Sequence, residues 1–292
     1  MSATAIDGDR MLADLDALSA IGRSGRGVHR PAFTEDDVRA REWLAERLAA
    51  AGLEAEIDGV GNVLGRSPGH RAVLAGSHVD SVPFGGRLDG ALGVVAALEA
   101  ARALGGGVDV VAFADEEGTF TGTLGSRAFC GDLGAEERAR LVSADGRNFG
   151  EALAATGWAG RPELQVDPAR HIAYMELHIE QGPVLEAGPQ RLGVVTGIVG
   201  IRRQRVTFTG RADHAGTTPT APASARPAAR TPSATSARSA SSPGRATSCR
   251  RARSCSWSTA TSTPIASPRS TRPSPAWRRR SPTVPASAWR SR

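Results

Sequence analysis

Apolar residues in the first two thirds of the chain recur with two different periods, and their succession predicts an α/β fold. A first helix is expected near 10–21. A clearer one runs from Thr34 to Gly52 in "TEDDVRAREWLAERLAAAG", with Thr34 as N-cap, Asp37 three residues on, and Val38, Trp43, Leu44 and Leu48 at helical spacing. "LEAEIDGVGNVLGR" reads as a short hairpin with Gly59 and Gly61 in its turn. "RAVLAGSHVD" and "VDVVAFADEEG" are compact apolar runs of the kind buried on both faces of a mostly parallel sheet. Between them lie a glycine-rich loop and a helix over 89–104, so strand, helix and strand make a βαβ unit. "HIAYMELHIEQG" reads as a further strand, and "RLGVVTGIVGIRRQRVTFTGRA" as one or two more.

Beyond residue 219 the periodicity stops. Of residues 220–292, 65 are Ala, Arg, Ser, Pro or Thr, with ten prolines and no Leu, Met or Phe. So little apolar surface cannot offset chain entropy, and this tail is expected to be disordered. It also accounts for the charge. The tail holds 14 Arg and no acidic residue, leaving 22 Arg against 30 acids in the rest, a net charge of −8 where the whole chain has +6. An acidic body gives no reason to expect nucleic acid as a partner. Few cysteines, an acidic N-terminus and no long apolar run predict a cytoplasmic protein with no membrane association.

The polar residues that end the apolar runs carry the chemistry. In "GSHVDSVPFGGRLDG", His78 and Asp80 fall at the C-terminal end of a strand, where open α/β sheets bind ligands, and Asp89 opens the next helix. Asp89 reads either as an N-cap or as a metal ligand. Asp80 is placed to hold the second nitrogen of His78. Glu116 and Glu117 end the neighbouring strand, where one carboxylate can bind a metal and the other take a proton. His178 lies within an apolar strand pattern and reads as a core residue or a ligand; Gln181 follows it, and His214 stands among small residues in "GRADHAGTTP".

Together these motifs, between about Asp9 and Pro219, resemble the hydantoinase/carbamoylase branch of the dinuclear-zinc, aminoacylase-like amidohydrolases. The resemblance implies a zinc exopeptidase-like catalytic domain: a mixed, mostly parallel sheet flanked by helices over 1–209, then only the start of an α+β lid and dimerisation domain over 210–219. It implies two divalent metal ions, zinc first, with manganese, cobalt and nickel as alternatives. His78, Asp89, Glu117 and His178 would be ligands, Glu116 the general base and Asp80 the partner of His78. Gln181 and His214 would contact substrate, an N-carbamoyl-L-amino acid or a related ureido acid hydrolysed at its carbamoyl C–N bond. Allantoate amidohydrolase and β-ureidopropionase activities belong to the same branch, whose members form homodimers.

The resemblance also implies a last histidine ligand in a segment beyond the lid, and no His follows His214. The composition change after Pro219 is that of GC-rich coding DNA read out of frame, and the tail is read so here. A basic arm binding nucleic acid and a divergent lid are the competing readings. A chain ending this way is expected to be a crippled fragment holding no more than one metal tightly.

Overall fold

The computed structural model describes residues 5–197, 200–206 and 255–261. Helices are α1 (Gly8–Ala20), α2 (Glu35–Ala50), α3 (Ala91–Leu104), α4 (Leu124–Phe129), α5 (Ala135–Ala139), α6 (Phe149–Ala155) and α7 (Val184–Ala187). Strands are β1 (Arg23–Ser24), β2 (Gly27–Val28), β3 (Glu54–Ile57), β4 (Val63–Arg66), β5 (Ala72–His78), β6 (Val108–Phe113), β7 (His171–Met175), β8 (Gly200–Val206) and β9 (Cys255–Thr261). These residues fall into two units, one up to Leu192 and one from Gly193.

The first unit is built on a five-stranded sheet of order β3-β4-β6-β5-β7. β5 pairs in parallel with β6 and β7, while β4 is antiparallel to both β3 and β6, so four of the five strands run the same way. This is the mixed, mostly parallel sheet expected, and α3 supplies the βαβ crossover. β6 is buried along its whole length, as a central strand covered on both faces must be. Its alternate residues serve two cores. Val110 and Ala112 pack with Leu15, Leu18, Leu44, Leu48, Val94 and Leu98 from α1, α2 and α3. Val111 and Phe113 pack on the other face with Leu64, Leu74, Phe129 and Leu164.

Local signals explain the boundaries. Asp7 caps α1 by accepting from the Arg10 N–H. Thr34 caps α2 by accepting from the Asp37 N–H at 3.4 Å, but the Asp37 carboxylate reaches back to the Phe33 N–H at 2.8 Å rather than to Thr34. Gly61 turns the β3–β4 hairpin at φ 89°, a conformation that favours glycine.

One expectation is changed and one alternative is removed. The strand read over residues 171–182 ends at Met175, so His178 lies in the irregular segment after β7 and not within a strand. Pairing with β5 stops at Ala75 and Met175, and beyond it the contacts are made by side chains: the Tyr174 hydroxyl donates to Glu176 at 2.8 Å and lies 3.3 Å from the Gly76 carbonyl oxygen. Asp89 is not the cap of α3; that position is Gly90, and α3 has no side-chain cap.

In the second unit β8 pairs antiparallel with β9. β9 belongs to the segment read as a disordered tail, and the rest of 220–292 lies outside the described residues, as does the expected lid start at 210–219. Among the described residues no helix is long and apolar enough to cross a membrane.

Candidate active site

β5 and β6 are register partners at His78 and Phe113, so the polar residues after them meet at one edge of the sheet. His78 is 1% exposed at the end of β5. Its Nδ1 lies 3.0 Å from the main-chain oxygen of Asp80. A carbonyl only accepts, so Nδ1 carries a proton and Nε2 is the nitrogen left to serve as a ligand. That Nε2 lies 3.9 Å from Asp89 Oδ1 and 3.6 Å from Glu116 Oε2.

His178 repeats the arrangement. Its Nδ1 is 2.7 Å from the Ile179 carbonyl oxygen, which fixes the same tautomer, and its Nε2 is 3.2 Å from Asp89 Oδ1. The two rings stack at 6.1 Å between centroids. His78, Asp89 and His178 thus present three ligand-type atoms within 4.8 Å of one another. Two imidazoles and a carboxylate are a donor set suited to a divalent ion such as zinc.

Asp80 acts on this centre mainly through its neighbours. Its carboxylate is 3.8 Å from His78 Nδ1, accepts from the Glu117 N–H at 3.1 Å and pairs with buried Arg41 at 3.4 Å. The bond that fixes His78 comes from the Asp80 main chain instead of its side chain. Glu117 leaves one buried carboxylate oxygen, Oε1, without a hydrogen-bond partner, the kind of atom a bound cation satisfies. Burial pushes both Glu116 and Glu117 above the ordinary carboxylate range, with His78 pulling each back. Gln181 donates to Asp89 Oδ2 at 2.5 Å from a left-handed backbone (φ 55°), so it orients the central carboxylate. His214 lies outside the described residues.

Three residues at this site escape the sequence patterns. Arg41 holds Asp80, and Glu176 accepts from the Ser77 and Tyr174 hydroxyls beside Glu116. The available signal for Arg41 was its place four residues after Asp37 on the apolar stripe of α2; Glu176 had only its position beyond an apolar run. Asp115 is the third. It adopts φ 50°, and its carboxylate accepts from the Thr119, Phe120 and Thr121 N–H groups, tying the loop that carries Glu116 and Glu117.

Gly90 is required by the packing of His78. Its φ is 63°, and a Cβ there would lie 2.5 Å from three ring carbons of His78. Gly90→Ala is therefore expected to displace the imidazole and weaken zinc binding by at least about tenfold, with the far-ultraviolet circular dichroism unchanged. A competition titration against a chromophoric chelator reads this directly.

Ligand-type side chains gathered at the carboxyl ends of parallel strands define an α/β protein of the metal-centre type. Residues 60–149 match the model of peptidase family M28. An N-carbamoyl-L-amino-acid amidohydrolase from Paenarthrobacter aurescens is 42% identical over 228 residues, covering 72% of this chain and 55% of the relative. An allantoate amidohydrolase from Escherichia coli is 39% identical, covering 66% of this chain and 50% of the relative. The crystal structure of an amidase of the hydantoinase/carbamoylase family from Burkholderia phymatum superposes with a TM-score of 0.67 at 47% identity, over 75% of this chain and 56% of that one. Over about three quarters of its length the chain is similar to members of the hydantoinase/carbamoylase family. It spans about half the length of the curated relatives it matches.

Proposed function

We propose that this chain carries the metal-binding catalytic part of an amidohydrolase that cleaves the carbamoyl C–N bond of N-carbamoyl-L-amino acids or related ureido acids. The observation that carries the reading is the pair of imidazoles, His78 and His178, whose free Nε2 atoms both face Asp89. His78, Asp89 and His178 would hold one divalent ion, and Glu117, with its unpartnered oxygen, would reach a second. Zinc suits these donors best, with manganese, cobalt and nickel accepted by the same set. When bound, the ion supplies Lewis acidity toward the ureido carbonyl and lowers the pKa of water toward about 7.

Glu116 is the proton carrier of this reading. Its side chain is 41% exposed and stands 3.6 Å from His78, so it is open to substrate yet held at the centre. It takes a proton from the attacking water and returns it to the departing nitrogen, giving an amino acid with CO₂ and ammonia. Asp80 is a positioning residue, Gln181 orients Asp89 and can turn an amide toward substrate, and His214 is a substrate contact. The names of the relatives support a small ureido substrate. A homodimer and a reducing, cytoplasmic setting complete the reading, the latter in keeping with the free Cys130.

Equilibrium dialysis of the full chain against zinc, followed by assay of N-carbamoyl-L-amino acids, tests it. One tightly held ion per chain is expected, lost in His78→Ala and in His178→Ala, with hydrolysis that is weak, because no His follows His214 to serve as the last ligand, and that stops on chelation. A chain that binds no divalent ion at these residues would overturn the proposal.

A further inference from the structure

The loop that leads from His78 to Asp89 contains a tight turn. The Gly85 N–H donates to the Val82 carbonyl at 3.1 Å, which closes the turn over Val82–Gly85 with Pro83 second and Phe84 third. Phe84 has φ 58°. Proline second and a left-handed residue third make a type II turn, whose third place favours glycine or asparagine. A phenylalanine there carries backbone strain that asparagine would relieve.

The turn is held at both ends. Before it, the Ser81 N–H donates to the Arg30 carbonyl at 2.9 Å and the Arg30 N–H to Ser81 Oγ at 3.0 Å. After it, the Val28 N–H donates to the Gly85 carbonyl at 3.0 Å. Core packing does not account for the strained residue, because Phe84 is 73% exposed. One exposed aromatic needs no explanation. Here, however, Val82 and Pro83 are exposed beside it, and both wall a cavity of about 480 Å³ that Glu117 of the metal centre also lines. Phe84 borders this cavity, its ring 4.7 Å between centroids from that of His29 in the wall. The volume is in the range of small-molecule sites. The one arginine of the wall, Arg147, is paired with Asp145 at 3.1 Å, so an incoming group meets apolar carbon before any uncompensated positive charge.

We propose that the Val82–Gly85 turn determines specificity: Val82, Pro83 and the Phe84 ring seat the α-carbon substituent of a ureido acid and select apolar side chains such as that of leucine. The proposal rests on the amidohydrolase reading. An apolar substituent laid on these three residues removes exposed carbon from water on both partners. A carboxamide of the same size would lose hydration there, and the exposed side chains of the turn offer it no hydrogen-bonding atom in return. Strain kept in an anchored loop that displays its side chain to solvent fits a binding role, since the fold itself gains little from the ring.

N-carbamoyl-L-leucine and N-carbamoyl-L-asparagine are near-isosteric probes that differ in this respect. The zinc-loaded full chain is expected to bind the leucine probe about five- to tenfold more tightly. Phe84→Asn, which suits the turn, is expected to lower that ratio at least about threefold while leaving the urea midpoint equal or higher. Nuclear Overhauser effects between the leucine methyl groups and phenylalanine ring protons are expected in the wild type and lost in the variant. A leucine probe that does not bind, or a ratio unchanged in Phe84→Asn, would overturn the proposal. So would a lower urea midpoint, which would make the ring a packing residue. Leucine selectivity that depends on Phe84, with no hydrolysis of either probe, would instead sink the amidohydrolase reading and leave the apolar seat standing.

Discussion

Glu116→Gln is expected to lower hydrolysis of N-carbamoyl-L-amino acids by about 10²–10⁴-fold, the range for losing a positioned general base, while zinc stoichiometry stays that of the wild type. The substitution keeps the size and hydrogen-bonding reach of the side chain and removes only its ability to take a proton. Glu116 is not among the three atoms gathered within 4.8 Å, so its loss should not release the ion. Its surroundings suit the task. Burial raises its pKa, and Asp80 and Glu176 push the same way against His78 and His178. A carboxylate raised in this manner takes a proton more readily than an ordinary one, which matters when it must accept one from the attacking water before the leaving nitrogen is protonated. Paired measurements of kcat and bound zinc on the same preparations separate this role from ligation. A parallel fall in zinc content would make Glu116 a ligand, and unchanged turnover would remove it from the mechanism.

The strand ends were legible because β5 and β6 are uninterrupted apolar runs, and the first polar residues after such runs must leave the sheet at its carboxyl edge. His78, Glu116 and Glu117 follow from that alone. Asp89 was not decidable from the chain, since an aspartate before a helix reads equally as a cap. The structure removes the cap by giving that position to Gly90. His178 was assigned to a strand because apolar spacing continues past Met175, whereas pairing depends on what β5 offers opposite, and Tyr174 meets Gly76 there with its side chain. Arg41 shows the same limit more sharply. A helical pattern can mark its position as inward-facing but says nothing of Gly61 and Phe113, whose carbonyls lie 20 and 72 residues away and make burial of its charge tolerable. Contacts of that range are decided by the assembled fold.

Those contacts make Arg41 the largest stability determinant expected of a single side chain near the site. Arg41→Met should cost about 3–5 kcal/mol, the penalty for leaving buried charges unpaired, out of a total stability of roughly 5–15 kcal/mol for a domain of ordinary size. Arg41 is fully buried and spends its guanidinium on Asp37 at 3.0 Å, Asp80 at 3.4 Å and the Gly61 and Phe113 carbonyls at 3.0 and 3.3 Å. Burial by itself would lower its pKa, but the Asp37 and Asp80 carboxylates outweigh that and keep it charged. Methionine fills similar space yet strands both carboxylates and both carbonyls away from water. Asp37 already has one oxygen, Oδ1, without a partner, so it has little means of compensating. Urea denaturation followed by tryptophan fluorescence measures the loss, with Trp158 reporting from the second core. Adding Asp37→Asn to Arg41→Met removes one of the stranded charges and should recover part of the stability. If the double variant is no more stable than Arg41→Met, the penalty lies in packing and not in charge. Because Asp80 holds the Glu117 N–H, the same variant should also loosen the loop carrying Glu116, weakening zinc binding through a residue that touches no ligand atom itself.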